Sequence, residues 1–344
     1  MNLTASVLRQ PRLLVLADGA ALPGVIDAEV VNTSHSGADR FRVRAALGVD
    51  FVRLTAMLDQ PACRVEVQAS LDGGLSFVSL IEGAVDQIEL DPIGGLLELS
   101  GRDDAAGLIE TRTGEIFANS TSSEIAGVLA QRHGLATDVQ ATTTPVGRYW
   151  QLEHDSLVLN QFARSTTEWD LLVALARQEG FDVWVGGGAL HFRPPAANAA
   201  AALTLRPADL VALRLERTLL LAQDISVTVK SWNSLKGAPT VTTAQRGTGA
   251  APRNYVYVVP NLTPDAAQSF AEARLSELVR HERVLTGEMP GELALMPRDL
   301  IVFEGSGTGF DQRYVVDQVE RQISMAHGFT QNLHATNASP AGAG

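Results

Sequence analysis

The sequence has little of what several common classes of protein require. Its 344 residues include a single cysteine, Cys63, so no disulfide can form within the chain and no cysteine pair exists for a zinc knuckle or redox centre. No apolar run approaches the roughly 18 residues of a membrane-spanning helix. Arg9, Gln10 and Arg12 interrupt the N-terminal stretch that a signal peptide would need. We therefore expect no membrane insertion and folding in a cytoplasm.

Positive charge is also scarce. The chain has 27 lysine and arginine residues against 39 aspartate and glutamate residues, a formal net charge of −12. That sign opposes binding to a phosphate backbone, so sequence-specific nucleic-acid binding is not expected. Apolar residues make up 45% and charged residues 19%, a globular balance. At about 150 residues per domain, the length predicts two to three domains.

Apolar and polar residues alternate repeatedly in the first hundred residues, as they do in strands with one buried face. The segments 41–45 and 65–69 are examples, and turn formers such as those at 72–74 separate the runs. Six or seven strands fit before Gly101, which is typical of a small antiparallel barrel or sandwich. We predict a first β-barrel over 1–104.

Helical spacing replaces this alternation from about residue 105. Thr121 and Glu124 have the spacing of a capping box, which predicts a helix that begins there. A second helix is predicted from Thr166 or Thr167 to Gly180, because apolar residues follow on one face and glycine favours the C-terminal end.

Residues 181–193 carry two apolar runs around three glycines, which predicts a β-hairpin. The uncharged segment PPAANAAAA at 194–202 predicts a linker. These features together indicate a mixed α/β domain over 105–205.

Strand alternation returns after the linker, at 211–216 and 225–230. Thr263 as N-cap and Pro264 at the first helical position predict one helix that runs to about 283. Three further strands are predicted, around 300–304, 312–321 and 328–335. We interpret 206–338 as a second β-barrel with one inserted helix, and 339–344 as a disordered tail.

A short internal similarity links the two β-rich ends. Residues 85–89 read VDQIE after Glu-Gly at 82–83, and residues 316–320 read VDQVE after Glu-Gly at 304–305. A five-residue match is weak evidence alone, but both copies precede a last strand of their region. We therefore predict two copies of one barrel. The fold class is mainly β, with two antiparallel barrels and a mixed α/β insertion.

No group of residues has the spacing of a catalytic, cofactor-binding or metal site, so none is predicted. The seven histidines form no HExxH motif, and His154-Asp155 lacks a nucleophile elbow. Asp103-Asp104 could serve a glycosidase only if adjacent side chains shared a cleft, and a turn explains them better. The glycine-rich residues 305–309 lack the lysine of a phosphate loop and indicate a hairpin tip. Four aromatic residues are assigned to the core rather than to ligand platforms: Trp169, Phe181, Tyr255 and Tyr257.

Four stretches resemble the baseplate hub proteins of phages with contractile tails, the family that includes late control protein D and the hub of Mu-like phages. They occur in the order found in that family, and they are SLIEGAVDQIEL with LLELSGRDDAAGLIE (79–110), FANSTSSEIAGVLAQRHGL (117–135), TTEWDLLVALARQEGFDVWVGGGALHFRP (166–194) and the C-terminal region 264–333. The N-terminal 78 residues are similar only in character.

The resemblance implies a structural protein without enzymatic activity or cofactor. It implies a homotrimer whose six barrels adapt a trimeric spike to a hexameric tail tube and line the DNA channel, with the helix near 263–283 packed along or between barrels. The implied partners are the tail tube or tube-initiator protein, a separate central spike protein, since no spike module follows the second barrel, and other baseplate (wedge) proteins. The implied location is the tail baseplate of a virion assembled in the bacterial cytoplasm.

Two alternatives remain open from the sequence. The first is the hub of a tailocin or of a type VI-like contractile secretion system, which resembles the same architecture. The second belongs to a different class, a tail-tip cell-wall hydrolase or sugar-binding module, which would place acidic side chains such as Asp103 or Asp104 in a cleft.

Overall fold

The structure is a computed structural model, and the residues it describes are 9–112, 114–115, 117, 120–143, 146, 167–195, 200–233, 238–247, 252–259 and 262–338. His154-Asp155 and the tail 339–344 lie outside the described residues.

The first region forms an antiparallel barrel-like sheet. Its strands follow the path β3-β4-β7-β6-β5-β1, with β2 at the edge of β1. Inward side chains alternate with outward ones as predicted, so that Phe41, Val43 and Ala45 are buried while Arg42 is exposed. The elements are β1 (Arg12–Ala17), β2 (Ala20–Ala21), β3 (Val25–Thr33), β4 (Arg40–Ala46), α1 (Phe51–Ala56), β5 (Arg64–Ser70), β6 (Val78–Asp91) and β7 (Leu96–Asp103).

The middle region packs helices on a small sheet of order β8-β10-β9. The predicted capping box is present at Thr121 with Glu124. Thr167, one of the two predicted N-caps of the second helix, forms a capping box with Asp170, which was not predicted. The predicted hairpin turns through Gly187 and Gly188 with φ of 58° and 72°, values that favour glycine. The elements are α2 (Ala105–Glu110), α3 (Ser122–Arg132), β8 (Ala136–Val139), α4 (Glu168–Glu179), β9 (Asp182–Gly186) and β10 (Ala189–Arg193).

The third region contains a second barrel and an insertion. The barrel strands follow the path β12-β16-β19-β18-β17-β11. Its first strand begins before residue 206, the start expected for this barrel. The elements are β11 (Leu203–Leu205), β12 (Ala212–Arg217), β13 (Ile225–Asn233), β14 (Ala238–Arg246), β15 (Arg253–Val258), α5 (Pro264–Val279), β16 (Arg283–Pro290), β17 (Leu300–Phe303), β18 (Gln312–Ser324) and β19 (Gly328–Asn337).

The insertion is larger than the single helix expected from the sequence. In the described segments of the chain, strands β13, β14 and β15 pair with one another alone, in the order β14-β13-β15, and α5 packs on β13 and β14. The C-terminal end of α5 contacts the second barrel, where Nδ2 of Asn337 in β19 donates to the carbonyl oxygen of Val279. Val227, Val229, Ala267 and Ala271 form the centre of this separate core. The sequence analysis did not predict this separate sheet, because alternation shows that a strand has one buried face but does not show which element covers that face.

The two barrels repeat the same arrangement strand by strand. Strands β3, β4, β7, β6 and β5 of the first path correspond to β12, β16, β19, β18 and β17 of the second, in the same chain order and with antiparallel pairing throughout. The last pair differs, since β1 is antiparallel to β5 whereas β11 is parallel to β17. The insertion occupies the place of the short connection between β3 and β4.

The VDQ similarity coincides with a β-bulge in both copies. The β6–β7 register shifts between Val85 and Gln87, and the β18–β19 register shifts between Val316 and Gln318. A bulge leaves one extra residue unpaired, so Asp86 and Asp317 occupy equivalent positions. The Glu-Gly part of the similarity is not equivalent, because Gly83 lies inside β6 whereas Glu304-Gly305 follow β17. The predicted fold class, mainly β with two barrels and a mixed α/β domain, is confirmed.

Candidate functional site: the junction between the barrels and the free strand edges

Asp103 and Asp104 do not share a cleft. Asp103 is buried at the end of β7, where its carboxylate accepts a hydrogen bond from the Ala105 N–H (3.1 Å). Burial and the nearby Asp39 carboxylate raise the pKa of Asp103 to about 8. Asp104 forms a salt bridge with Arg64 instead, with 2.8 Å between Nη1 and Oδ1. The two carboxyl groups therefore lack the arrangement of a glycosidase pair facing one sugar.

Residues 305–309 form a connection between the antiparallel strands β17 and β18, as the hairpin interpretation predicted. The carboxylate of Asp311 accepts hydrogen bonds from the backbone N–H groups of Ser306 and Gly307, both at 2.9 Å. The hydrogen bond from the Ser306 hydroxyl (2.6 Å) contributes most to lowering the Asp311 pKa. These backbone donors already have an anionic partner within the loop, which a phosphate would have to displace.

The four aromatic residues assigned to the core lie against apolar neighbours. Trp169 is buried in the middle domain. Phe181 packs on Phe192, with ring centroids 5.3 Å apart. In the insertion Tyr257 meets Phe270 edge-on, at 6.0 Å between centroids, and Tyr255 packs against the same core. The core interpretation is confirmed for these residues.

Cys63 is buried, and burial raises the pKa of its thiol to about 11, so little reactive thiolate exists at neutral pH. Within the described ranges, no three or more His, Cys, Asp or Glu side chains are grouped so that they could hold a metal ion. No helix in the part of the chain that the structure describes is long and apolar enough to cross a membrane.

The two barrels join through a direct strand pairing. Strand β18 pairs antiparallel with β3 from Gln318 opposite Thr33 to Ser324 opposite Asp27. At the bulge, the Ser34 N–H donates to the carbonyl oxygen of Asp317 (2.7 Å). The β3–β18 ladder therefore makes one continuous sheet from both copies.

Arg321 is a fully buried guanidinium at this junction. Its Nη1 donates to Oδ1 of Asn32 across the ladder (2.7 Å), and its Nη2 donates to the carbonyl oxygen of Leu295. Asn32 in turn donates through Nδ2 to Asp39 (2.8 Å) and to the carbonyl oxygen of Leu80 (3.1 Å). Burial lowers the pKa of Arg321 to about 10. Sequence analysis missed this network, although Arg321 stands at an inward position between Val319 and Ile323 of an alternating strand.

The middle domain also contacts the junction. Arg298, in the loop before β17, lies over the Trp184 ring of β9 at 4.6 Å from the centroid. Burial lowers the pKa of Arg298, and the carboxylates of Asp182 and Asp39 oppose that shift. The buried bulge residue Asp317 pairs with Arg280 at the end of the insertion helix. Charged side chains from both barrels, the middle domain and the insertion thus meet here.

Two strand edges equivalent to the paired β3–β18 edges remain free. Among the described residues, β12 pairs only with β16, and residues 86–91 of β6 pair only with β7. Large apolar side chains stand exposed beside these edges, with Ile93 at 99% and Val211 and Leu219 each at 70% exposure. Proteins usually cover long free edges, because unpaired N–H and C=O groups are open to another strand.

The model of one protein family, described as the Alg8 N-terminal domain, matches residues 80–255. The match covers just over half of the chain and runs from β6 through β15. No curated protein matches the chain in sequence.

Solved structures share the fold of this chain at low sequence identity. The tail protein from Neisseria meningitidis MC58 superposes with a TM-score of 0.69 at 15% identity, covering 95% of this chain and 96% of that one. The 43 kDa tail protein of prophage MuSo2 from Shewanella oneidensis gives 0.68 at 15% identity, with 96% and 99% covered. The E. coli c3393 protein, described as a component of the type VI secretion system, gives 0.57 at 13% identity, with 95% and 77% covered. The resemblance to phage baseplate hub proteins is thereby confirmed in the fold.

Proposed function

We propose that the chain is the structural hub subunit of a contractile tail baseplate and that three copies form a ring of six barrels. The observation that carries this proposal is the duplicated barrel. Five strands recur in the same order and register, and the same bulge recurs at Asp86 and Asp317. A chain with two equivalent barrels gives a threefold assembly a nearly sixfold ring.

Such a ring would connect parts of different symmetry. A trimeric spike would bind one face through threefold contacts, and a hexameric tail tube or tube-initiator protein would bind the other through the six barrels. Other baseplate proteins of the wedge type would surround the ring. In this proposal residues 1–104 act as the first barrel domain and 105–205 as a mixed domain, and the second barrel carries the insertion. The protein acts in the virion tail, after assembly in the bacterial cytoplasm.

The ring would enclose a channel, and the charge of the chain bears on what passes through it. Each copy carries a formal charge of −12. A predominantly acidic lumen would let DNA slide without adhering, since like charges repel. The proposed role needs no catalysis, and the separated geometry of Asp103 and Asp104 offers no support for a cell-wall hydrolase.

A contractile secretion system is the second candidate. The likeness to the E. coli c3393 protein, described as a type VI secretion component, favours it. A hub in such a system would use the same ring of six barrels, so the trimer is common to both proposals.

The mass of the purified protein in solution, alone and with its spike protein, tests the proposal. Light scattering is expected to give three chains per particle in at least one of these conditions. A monomer in both conditions would refute the hub. Incubation with purified peptidoglycan is expected to release no fragments, and release that is lost in Asp103→Ala or Asp104→Ala would restore the hydrolase alternative.

A further inference from the structure

The free edges of β6 and β12 are the counterparts of the two edges that already pair inside the chain. By the strand correspondence, β6 is the equivalent of β18, and β12 is the equivalent of β3. Each chain therefore holds one completed junction, between β18 and β3, and the two unpaired halves of a second. Another copy of the chain supplies the missing halves with the same backbone geometry.

We infer that β6 of one subunit pairs antiparallel with β12 of the next subunit, in the register set by the internal junction. The inference rests on the proposed trimer and names its interface. Three such contacts close a ring, because each subunit gives β6 to one neighbour and receives β6 from the other at its β12. Six junctions then alternate, three within chains and three between them.

The register follows from the ladders without adjustment. The bulges align Gln87 with Gln318, so Asp91 of β6 corresponds to Gln322 of β18. On the other side, Glu29 of β3 corresponds to Arg214 of β12. Gln87 pairs with Ser100 and Gln318 pairs with His334, so Ser100 corresponds to His334. Following the pairs from Ser100 across β4 leads to Glu29, and following the pairs from His334 across β16 leads to Arg214. Inside the chain Gln322 pairs with Glu29. Between chains Asp91 therefore pairs with Arg214.

The side chains in this register suit a subunit contact. Asp91 and Arg214 have opposite charge and are both exposed on the outer face. One residue earlier on β6, Leu90 comes opposite Leu215, and both are only half-buried in the single chain. Their equivalents Arg321 and Val30 are buried where the internal junction covers them. One pair in this register is unfavourable: Glu89 comes opposite Glu216, and like charges directly opposite each other repel. Glu216 already holds a salt bridge with Arg214, at 2.7 Å between Oε1 and Nε.

The exposed apolar residues beside the edges are explained by the same contact. Ile93 lies in the turn just after β6 and Val211 lies just before β12, and both side chains are largely exposed in the single chain. The inferred antiparallel pairing brings these two segments to the same end of the new ladder, where covering their apolar side chains would favour association.

Disulfide trapping tests the register. In a Cys63→Ala background, the pair Asp91→Cys with Arg214→Cys places two thiols directly opposite each other, where cross-strand Cβ atoms lie about 4.5–5.5 Å apart. The matched control keeps Asp91→Cys and combines it with Glu216→Cys, two positions out of register. Mild oxidation is expected to link the first protein into covalent dimers and trimers on a non-reducing gel and to leave the control at least tenfold less linked.

The outcomes separate this inference from the proposed function. A trimer by mass in which the control pair links better, or neither pair links, would overturn the β6–β12 register and leave the hub proposal standing. Absence of any trimer would overturn both.

Hydrogen exchange on the unmodified protein is an independent test of the pairing. The amides of 86–91 and 212–217 are expected to exchange at least about tenfold more slowly in the trimer than in diluted monomer. Unchanged exchange at both strands would contradict the pairing.

Discussion

Replacing Arg321 by alanine tests the physical account of the junction between the barrels. The guanidinium is fully buried, and it donates to Asn32 of the other barrel and to the carbonyl oxygen of Leu295. In the Arg321→Ala variant, both acceptors lose their donor in a place that water does not reach. The carboxylate of Asp39, whose pKa is raised mainly by burial, also loses a nearby positive charge.

The expected magnitude follows from these losses. Each buried polar group left without a partner costs about 1–3 kcal/mol. The two acceptors left without a donor therefore cost about 2–6 kcal/mol together. We expect Arg321→Ala to lower the free energy of unfolding by about 2–6 kcal/mol, a large share of the roughly 5–15 kcal/mol of a typical protein.

Urea unfolding followed by tryptophan fluorescence measures this loss. Arg313→Ala is the matched control, because Arg313 lies exposed on the same strand. The control is expected to change the free energy of unfolding by no more than about 0.5 kcal/mol. If the two variants unfold within about 1 kcal/mol of each other, the buried network does not hold the barrels together and the reasoning fails.

Three further predictions concern single residues. Asp103→Asn removes a carboxyl group whose pKa is raised from 3.8 to about 8 by burial and Asp39. The folded wild type therefore binds an extra proton between these values and loses stability as pH rises through that range, and melting curves at pH 5 and pH 8 should show a smaller loss in the variant. Cys63 should react with a thiol reagent only after unfolding, since it is buried and its pKa is about 11; rapid reaction of the native protein would contradict its burial. Gly101→Ala would place a methyl carbon 2.1 Å from the carbonyl oxygen of Ala84, so it should destabilise by about 1–3 kcal/mol. The control Gly127→Ala, in α3 with nothing within 4 Å of the added carbon, should stabilise by up to about 1 kcal/mol.

Local signals in the sequence predicted the local structure well. The capping boxes at Thr121 and Thr167 begin helices in the structure because their side chains satisfy the first free N–H groups. The alternation at 41–45 places Phe41 and Val43 inside the barrel. The VDQ similarity marked a true equivalence because a β-bulge demands a particular backbone at one position, Asp86 in one copy and Asp317 in the other.

Contacts between residues that are far apart in the chain could not be predicted from the sequence. Nothing in the pattern of β13 distinguishes a barrel strand from a strand covered by α5, and the inserted sheet was missed for that reason. The junction depends on Asn32 and Arg321, which are 289 positions apart, and neither residue has a local motif. The free edges of β6 and β12 can be identified only when the pairing of all the other strands is known.

End-on electron-microscopy averages of the isolated assembly test the central claim most directly. The duplicated barrel predicts a ring of six similar lobes built from three chains. A ring with three lobes, or six lobes built from six chains, would contradict the account.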